Sequence, residues 1–391
     1  MSPSLPLITT AERRDRLGRR HRLAPSARAA TVPQAADAVV ALHATDAATV
    51  FLSARARMAR GGPDTIEQAL YEDVSLVRLL SMRNTLFAVS AELAPYVDSS
   101  TARAIAVKER RTLLKHLDED GQGLDADWLA RAEASALDAL DARGPSTGSQ
   151  LSAAVPALRQ KITIGRGKKY ETETGVATRV IRLLAADGRI RRDRPRGSWT
   201  SSQYRWVHTE PWPPVPAPEA RAEIARRWLH AYGPATEADL KWWTGWTLTD
   251  VRKALAAVGP EQVRLDDGTT ALVCPGDTAP EPATEPWAAL LPALDPTAMG
   301  WADRGFHLDP AYKSALFDYA GNIGPTVWWN GEIIGGWAQR ADGEIVRRLL
   351  GSPGRAAEKA VAAEADRLAG WLGEARITPR FRTPLERELV A

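Results

Sequence analysis

Leu42-His43-Ala44-Thr45-Asp46 brings together the groups in this chain best suited to hydrolytic chemistry. If residues 43–46 are extended, a two-residue period puts His43 and Thr45 on one side and Ala44 and Asp46 on the other. An imidazole and a hydroxyl on one face can hold a water. Neutral His accepts its proton or hydrogen bond, and Thr supplies a second oriented contact. The alternative for a lone His beside a helix end is a cap on the C-terminal dipole of that helix. Asp46 is the third catalytic candidate, because a carboxylate can stabilise a cationic, sugar-like transition state. Its alternative is a turn or N-cap acceptor. His116, His208, His230 and His307 have no metal-ligand spacing, and one cysteine, Cys274, excludes an internal disulfide and a Cys-rich zinc site. There is no Walker loop and no Gly-x-Gly-x-x-Gly after a strand, so neither a metal nor a cofactor is expected.

The elements that must position this stretch follow from apolar spacing and breakers. Thr10 to Arg22 reads as a helix whose arginines form a solvated face, stopped by Pro25. Thr31-Val32-Pro33 opens a second helix, with Ala35, Val39 and Leu42 as its stripe, ending near His43. Thr49-Val50-Phe51-Leu52 is β-branched and aromatic, and after Gly61-Gly62-Pro63 a further helix runs from Asp64 through Tyr71. Leu76 to Leu80 and Thr85 to Val89 flank Ser81-Met82-Arg83-Asn84 as a hairpin. Three helices followed by a ribbon describe a winged helix.

Long helical patterns cover Thr101 to Leu117 and Asp125 to Arg143, and an internal repeat follows. Gly144-Pro145-Ser146-Thr147-Gly148-Ser149-Gln150-Leu151 matches Gly233-Pro234-Ala235-Thr236-Glu237-Ala238-Asp239-Leu240 in Gly, Pro, Thr and Leu. Each copy offers a turn, a capping Thr and a first buried Leu. In the first copy, Thr174 to Asp187 leads into strands Gly188 to Arg192 and Trp199 to Trp206. In the second, Val263 to Leu265 and Thr269 to Val273 form the ribbon. A Pro-rich linker, Glu210 to Pro218, separates the copies. After an acidic, Pro-rich passage, Asn330-Gly331 and Asp342-Gly343 mark hairpins, Trp328, Trp329 and Trp337 line a small sheet or barrel, and a last helix spans Arg355 to Leu372. The expected domains are 1–120, 121–210, 219–275 and 285–391, in an α+β chain.

The whole chain has a formal charge of +3, but Arg159 to Arg205 holds thirteen Lys/Arg against four Asp/Glu, a local +9 that leaves −6 for the rest. Such segregation points to a polyanion surface. A winged helix presents its third helix and its ribbon to DNA. The DNA-binding candidates are therefore Lys168, Lys169, Arg179, Arg191, Arg192, Arg194, Arg196, Gln203 and Arg205 in the second unit, with Arg55, Arg57 and Arg83 in the first. A merely soluble ribbon is the alternative. The start has no uninterrupted apolar segment and no window is long enough to span a membrane, so the expectation is a soluble, cytoplasmic protein.

VVALHATDAATVFLSARAR, LYEDVSLVRLLSMRNTLFAV, RPRGSWTSSQYRW, YGPATEADLKWWTGW, LLPALDPTAMGWADR and GPTVWWNGEIIGGWAQR together resemble the winged-helix DNA glycosylases of the AlkZ/YcaQ-like superfamily. The resemblance covers nearly the whole chain. It implies three tandem winged helices and a C-terminal β-barrel-like module in a C-shaped molecule. It further implies metal-free hydrolysis of the N-glycosidic bond of alkylated purines, bulky natural-product adducts and crosslinks included, in repair or toxin self-resistance. The implied partner is double-stranded DNA containing alkylated purines, bound by a monomer. The family's catalytic motif is Gln-x-Gln or Gln-x-Asp, and the matching positions here hold His43 and Thr45. The spacing is kept while both side chains differ, which suits a base that is already a good leaving group or marks a branch with another adduct preference or no glycosylase activity. The competing expectation is a non-catalytic winged-helix DNA-binding protein, a regulator or a damage-sequestering factor.

Overall fold

The computed structural model describes residues 4–391. After the helix Thr10–Arg20, the first unit consists of helix Val32–Asp37, strand Leu42–His43, helix Ala47–Arg57, helix Pro63–Glu67 widening into Gln68–Glu72, and the ribbon Leu76–Ser81/Thr85–Ser90. The second helix ends at Asp37, well short of His43, because Val40 takes a left-handed backbone (φ 64°) that turns the chain into the strand. Leu42 and His43 then pair antiparallel with Ala88 and Phe87, and the Ala44 amide donates to the Leu86 carbonyl at 2.9 Å. The sequence around Thr49 is helical despite its β-branched residues. All residues of Ala47–Arg57 are buried, so the helix shows no amphipathic period, and Asp46 caps it.

The second unit comprises helices Arg103–Asp120, Ala126–Arg143, Gly148–Ala154 and Ala177–Ala186, a hairpin Lys161–Ile164/Thr172–Gly175, and the wing Ile190–Asp193/Arg205–His208. The third comprises Ala217–Tyr232, Glu237–Thr244, Leu248–Val258 and the wing Glu261–Leu265/Thr270–Val273, with Leu7–Ile8 added in parallel to its edge. The internal repeat is a repeat in space. Thr147 with Gln150, and Thr236 with Asp239, form capping boxes, while Ser146 and Ala235 make single bridges to Trp206 and Leu272 on the return strands of their wings. In the first unit, Thr45 stands in the same place before the cap. The slot that is only a backbone bridge in the other two units therefore carries the candidate pair in the first.

The C-terminal module corrects the barrel expectation. Ala288–Leu291, Thr326–Trp329, Glu332–Gln339 and Ile345–Leu349 form an open antiparallel sheet in sequence order, and its two edge strands do not pair with each other. Closure is replaced by cover. Val361, Ala365 and Leu368 of helix Arg355–Leu372 pack with Val327 and Trp337, and Leu385 and Leu389 of helix Pro384–Val390 join Trp328 and Ile333 in a second cluster. One helix on each face buries the apolar residues that a barrel would have turned inward. The arginines of Thr10–Arg20 also depart from the solvated face expected. Arg16 and Arg20 are buried and pair with Asp277 of the acidic passage, tying the start of the chain to residues after Cys274. No described helix is long and apolar enough to cross a membrane.

Candidate active site and nucleic-acid interface

His43 is fixed by strand pairing on its backbone and by the ring of its strand partner Phe87, met edge-on at 5.2 Å. It is 6% exposed. Burial, with the nearby positive charge of Arg83, pushes its pKa down to about 3, so the imidazole is neutral. The Thr45 amide N–H points toward Nδ1 at 3.5 Å, a long contact that favours the tautomer with the ring proton on Nε2.

Two cavities meet at this ring. The larger, about 570 Å³, lies between the first unit, helix Ala177–Ala186, the second wing and the Arg380-Phe381 segment, and is lined by His43, Thr45, Arg78, Arg192 and Arg380 among others. The smaller, about 420 Å³, is lined by Arg83, Trp242, Arg304 and Lys313, and shares His43, Thr85, Leu294 and Asn322 with the first. Among the described residues, neither wall includes an Asp or a Glu. Around His43 the structure thus offers a neutral imidazole, a hydroxyl, an amide and several cations, with no carboxylate to act as an acid or to neutralise a cationic sugar.

Asp46 is placed differently from its neighbours. Its Oδ1 accepts from the Ala48 amide at 3.0 Å as the helix cap, and its Oδ2 accepts from the Arg380 amide at 2.9 Å. Both oxygens are engaged, and Asp46 lines neither cavity. The second bond ties the backbone of Arg380, a residue of the larger cavity's wall, to the start of helix Ala47–Arg57.

The arginines proposed for DNA fall into distinct settings. Arg191 and Arg192 face the larger cavity. Arg194 reaches Glu72 at 3.1 Å and Glu67 at 3.8 Å in the first unit, and Arg205 donates to the Arg194 carbonyl at 2.9 Å. Arg196 and Gln203 are exposed and close the wing, through an Arg196 amide to Gln203 carbonyl bond of 2.9 Å. Lys168 and Lys169 are exposed on the loop of the hairpin before Ala177–Ala186, and Arg179 is half-buried on that helix. Arg83 sits at the ribbon tip in a left-handed conformation (φ 53°), with its guanidinium carbon 4.3 Å from the Trp242 ring centroid. Arg55 and Arg57 are interior. Arg55 pairs with Glu364, and Arg57 binds Asp295 at 2.7 Å with both side chains wholly buried.

Trp199 is on the wing loop rather than in a strand, and packs against Phe51 at 4.8 Å and Trp371 at 5.7 Å. The residues sequence reasoning missed are Arg78, Arg380, Arg304, Lys313, Trp242 and Asn322. Arg78 had a signal: a lone charge inside the apolar strand Leu76-Val77-Arg78-Leu79-Leu80. The others are brought in by tertiary contacts and carried none.

Comparison with known proteins bears on the family and the fold. A curated relative, the interstrand DNA cross-link repair glycosylase of Streptomyces sahachiroi, is 30% identical over 178 residues, 44% of this chain and 48% of that protein. The match thus spans about half the length of the relative. The solved structure of Streptomyces sahachiroi DNA glycosylase AlkZ aligns with a TM-score of 0.68 at 20% identity, covering 95% of this chain and 98% of that one, a likeness of fold. The profile of the family described as DNA glycosylase AlkZ-like matches residues 36–371, most of the sequence, and the chain belongs to that family.

Proposed function

We propose that this protein is a monofunctional DNA glycosylase that hydrolyses the N-glycosidic bond of purines carrying a positive charge from alkylation, such as N7-alkylguanine, with a water held by His43 and Thr45. The observation that carries the reading is the wall around His43, which joins a neutral imidazole and a hydroxyl to arginines and includes no carboxylate. An imidazole whose conjugate acid has a pKa near 3 is a poor base at neutral pH. Its role is orientation. Nε2–H donates to the water oxygen, the water donates to the Thr45 hydroxyl, and a free lone pair faces C1′ of the sugar. As the C1′–N9 bond breaks, its electron pair neutralises the cationic base, the water oxygen bonds to C1′, and the surplus proton leaves to solvent. The base needs no acid to depart, which matches a site without one.

A cavity of about 570 Å³ has the volume of a small-molecule site, which makes bulky adducts part of the proposed substrate class. Interstrand crosslinks, in repair or self-resistance, extend the same chemistry, and the relative's printed description supports the crosslink-repair part. Incubating the protein with duplexes carrying N7-alkylguanine, followed by alkali, yields strand breaks at the lesion if the reading holds. A second reading, DNA binding without catalysis, is favoured by the departure of both side chains from the Gln pattern of the family. It predicts a footprint on DNA with no base released from any alkylated duplex.

A further inference from the structure

Arg78 is 8% exposed on the wall of the larger cavity, yet its Nε and Nη2 have no hydrogen-bond partner. Only Nη1 is engaged, donating to the Tyr71 hydroxyl at 2.9 Å. Its guanidinium carbon is 5.5 Å from the Tyr71 ring centroid and 5.6 Å from that of Tyr204. Arg192 lies 4.2 Å from the same Tyr204 ring and 5.7 Å from the Trp206 ring. Tyr71, Arg78, Tyr204, Arg192 and Trp206 thus form one cluster of rings and cations. Among the described residues no carboxylate pairs with Arg78, Arg192 or Arg380, whereas Arg16, Arg20, Arg55 and Arg57 all have one. Burial and the charges of Arg78 and Arg380 lower the pKa of Arg192, which places both of these cations near Arg192.

Neighbouring rings hold a guanidinium by cation–π attraction without satisfying its N–H groups, and in Arg78 Nε and Nη2 are left free. Buried Arg78 and half-buried Arg192 without a counter-ion constitute an unfavourable arrangement that a bound anion relieves, and Arg380 adds an exposed third cation on the same cavity wall. The planar fork of arginine matches two oxygens of a phosphate. The larger cavity holds His43 as well, so an anion there is adjacent to the reacting sugar.

We propose that Arg78, Arg192 and Arg380 form the seat of one phosphodiester, the phosphate next to the nucleotide whose base is released, and so set the register of DNA against His43. The inference rests on the DNA-directed reading above.

The test uses full-length protein and a duplex with one tetrahydrofuran abasic analogue, in which the flanking phosphates are replaced one at a time by neutral methylphosphonates. With wild type, one position next to the analogue weakens binding about tenfold or more, and the others change it little. In Arg192→Met the affinity for the parent duplex falls by a similar factor and that position becomes silent. Arg78→Lys keeps the charge but loses the flat fork, and shows a reduced response at the same position while its melting curve is retained. Arg348→Met, an exposed arginine paired with Glu388 on the C-terminal sheet, leaves the profile unchanged. A flat profile in wild type, or a sensitive position that survives in Arg192→Met, overturns the seat while leaving DNA binding intact. Full affinity for every neutralised duplex, with inorganic phosphate raising the melting temperature of wild type but not of Arg192→Met, assigns the seat to free phosphate and overturns the inference. Failure to bind any duplex at low salt overturns the DNA reading itself.

Discussion

Replacing Arg57 with methionine separates a structural from a DNA-binding role for an arginine that the sequence offers as a phosphate contact. Its guanidinium and the Asp295 carboxylate are both wholly buried, joined by Nη2 to Oδ1 at 2.7 Å and Nη1 to Oδ2 at 2.9 Å. Asp295 also accepts from the Ser53 hydroxyl at 2.7 Å and the Thr297 amide at 2.9 Å. Burial alone would raise the Asp295 pKa. The Arg57 charge and these donors outweigh it and hold the carboxyl below its usual range. Arg57→Met leaves a buried carboxylate with two of its four donors, which costs about 3 to 5 kcal/mol. Adding Asp295→Leu recovers part of that loss, since the stranded charge is removed with its partner. Urea denaturation reads the stability, and DNA affinity against salt concentration reads the charge. The expected result is a large fall in the urea midpoint with no change in the slope of log affinity against log salt. A stability loss below about 1 kcal/mol, or a salt slope reduced by about one unit, refutes the assignment of Arg57 to the core.

Three further outcomes follow from the geometry. Because burial depresses the His43 pKa to about 3, its neutral form persists from there upward, and the base-release rate shows no His43-dependent acid limb near pH 6.5; a limb there that disappears in His43→Ala contradicts the tautomer and role given. The same shift makes the contribution of His43 to stability fully present above 6.5 and progressively lost as the pH falls toward about 3, by up to about 1.4 kcal/mol per pH unit; urea midpoints of wild type and His43→Gln measured from neutral to acid pH check it. Asp46→Asn keeps a good helix cap and leaves base release within a few-fold, whereas Asp46→Ala costs about 1 kcal/mol; a loss of about 100-fold in the Asn variant would return Asp46 to the reacting groups.

Much of the local structure was legible because local chemistry determined it. The ribbon Leu76–Ser81/Thr85–Ser90, the caps at Thr147 and Thr236, the Asn330-Gly331 turn and the helix Arg355–Leu372 depend on residues near one another in sequence. Helix Ala47–Arg57 was not legible, since burial on every side erases the period that reveals a helix. Nor was the open C-terminal sheet, because closure depends on whether two distant edge strands meet. The arginines show the same limit. Arg55 and Arg57 resemble surface cations in sequence, but Glu364 and Asp295, far along the chain, take them into the core. At the site, the His43/Thr45 spacing could be read, while the absence of acid around it and the cluster of rings and cations at Arg78 exist only after folding.

On the proposed reading, the site orients water for a base that leaves without protonation. Single-turnover release of N7-methylguanine by wild type and by the His43→Ala, Thr45→Ala double variant tests it most directly, with uracil in the same duplex as the neutral comparison. The expected result is release of N7-methylguanine by wild type, a loss of about 100-fold in the double variant, and no release of uracil by either. Equal rates for the two proteins, or excision of the neutral base as fast as the cationic one, would contradict it.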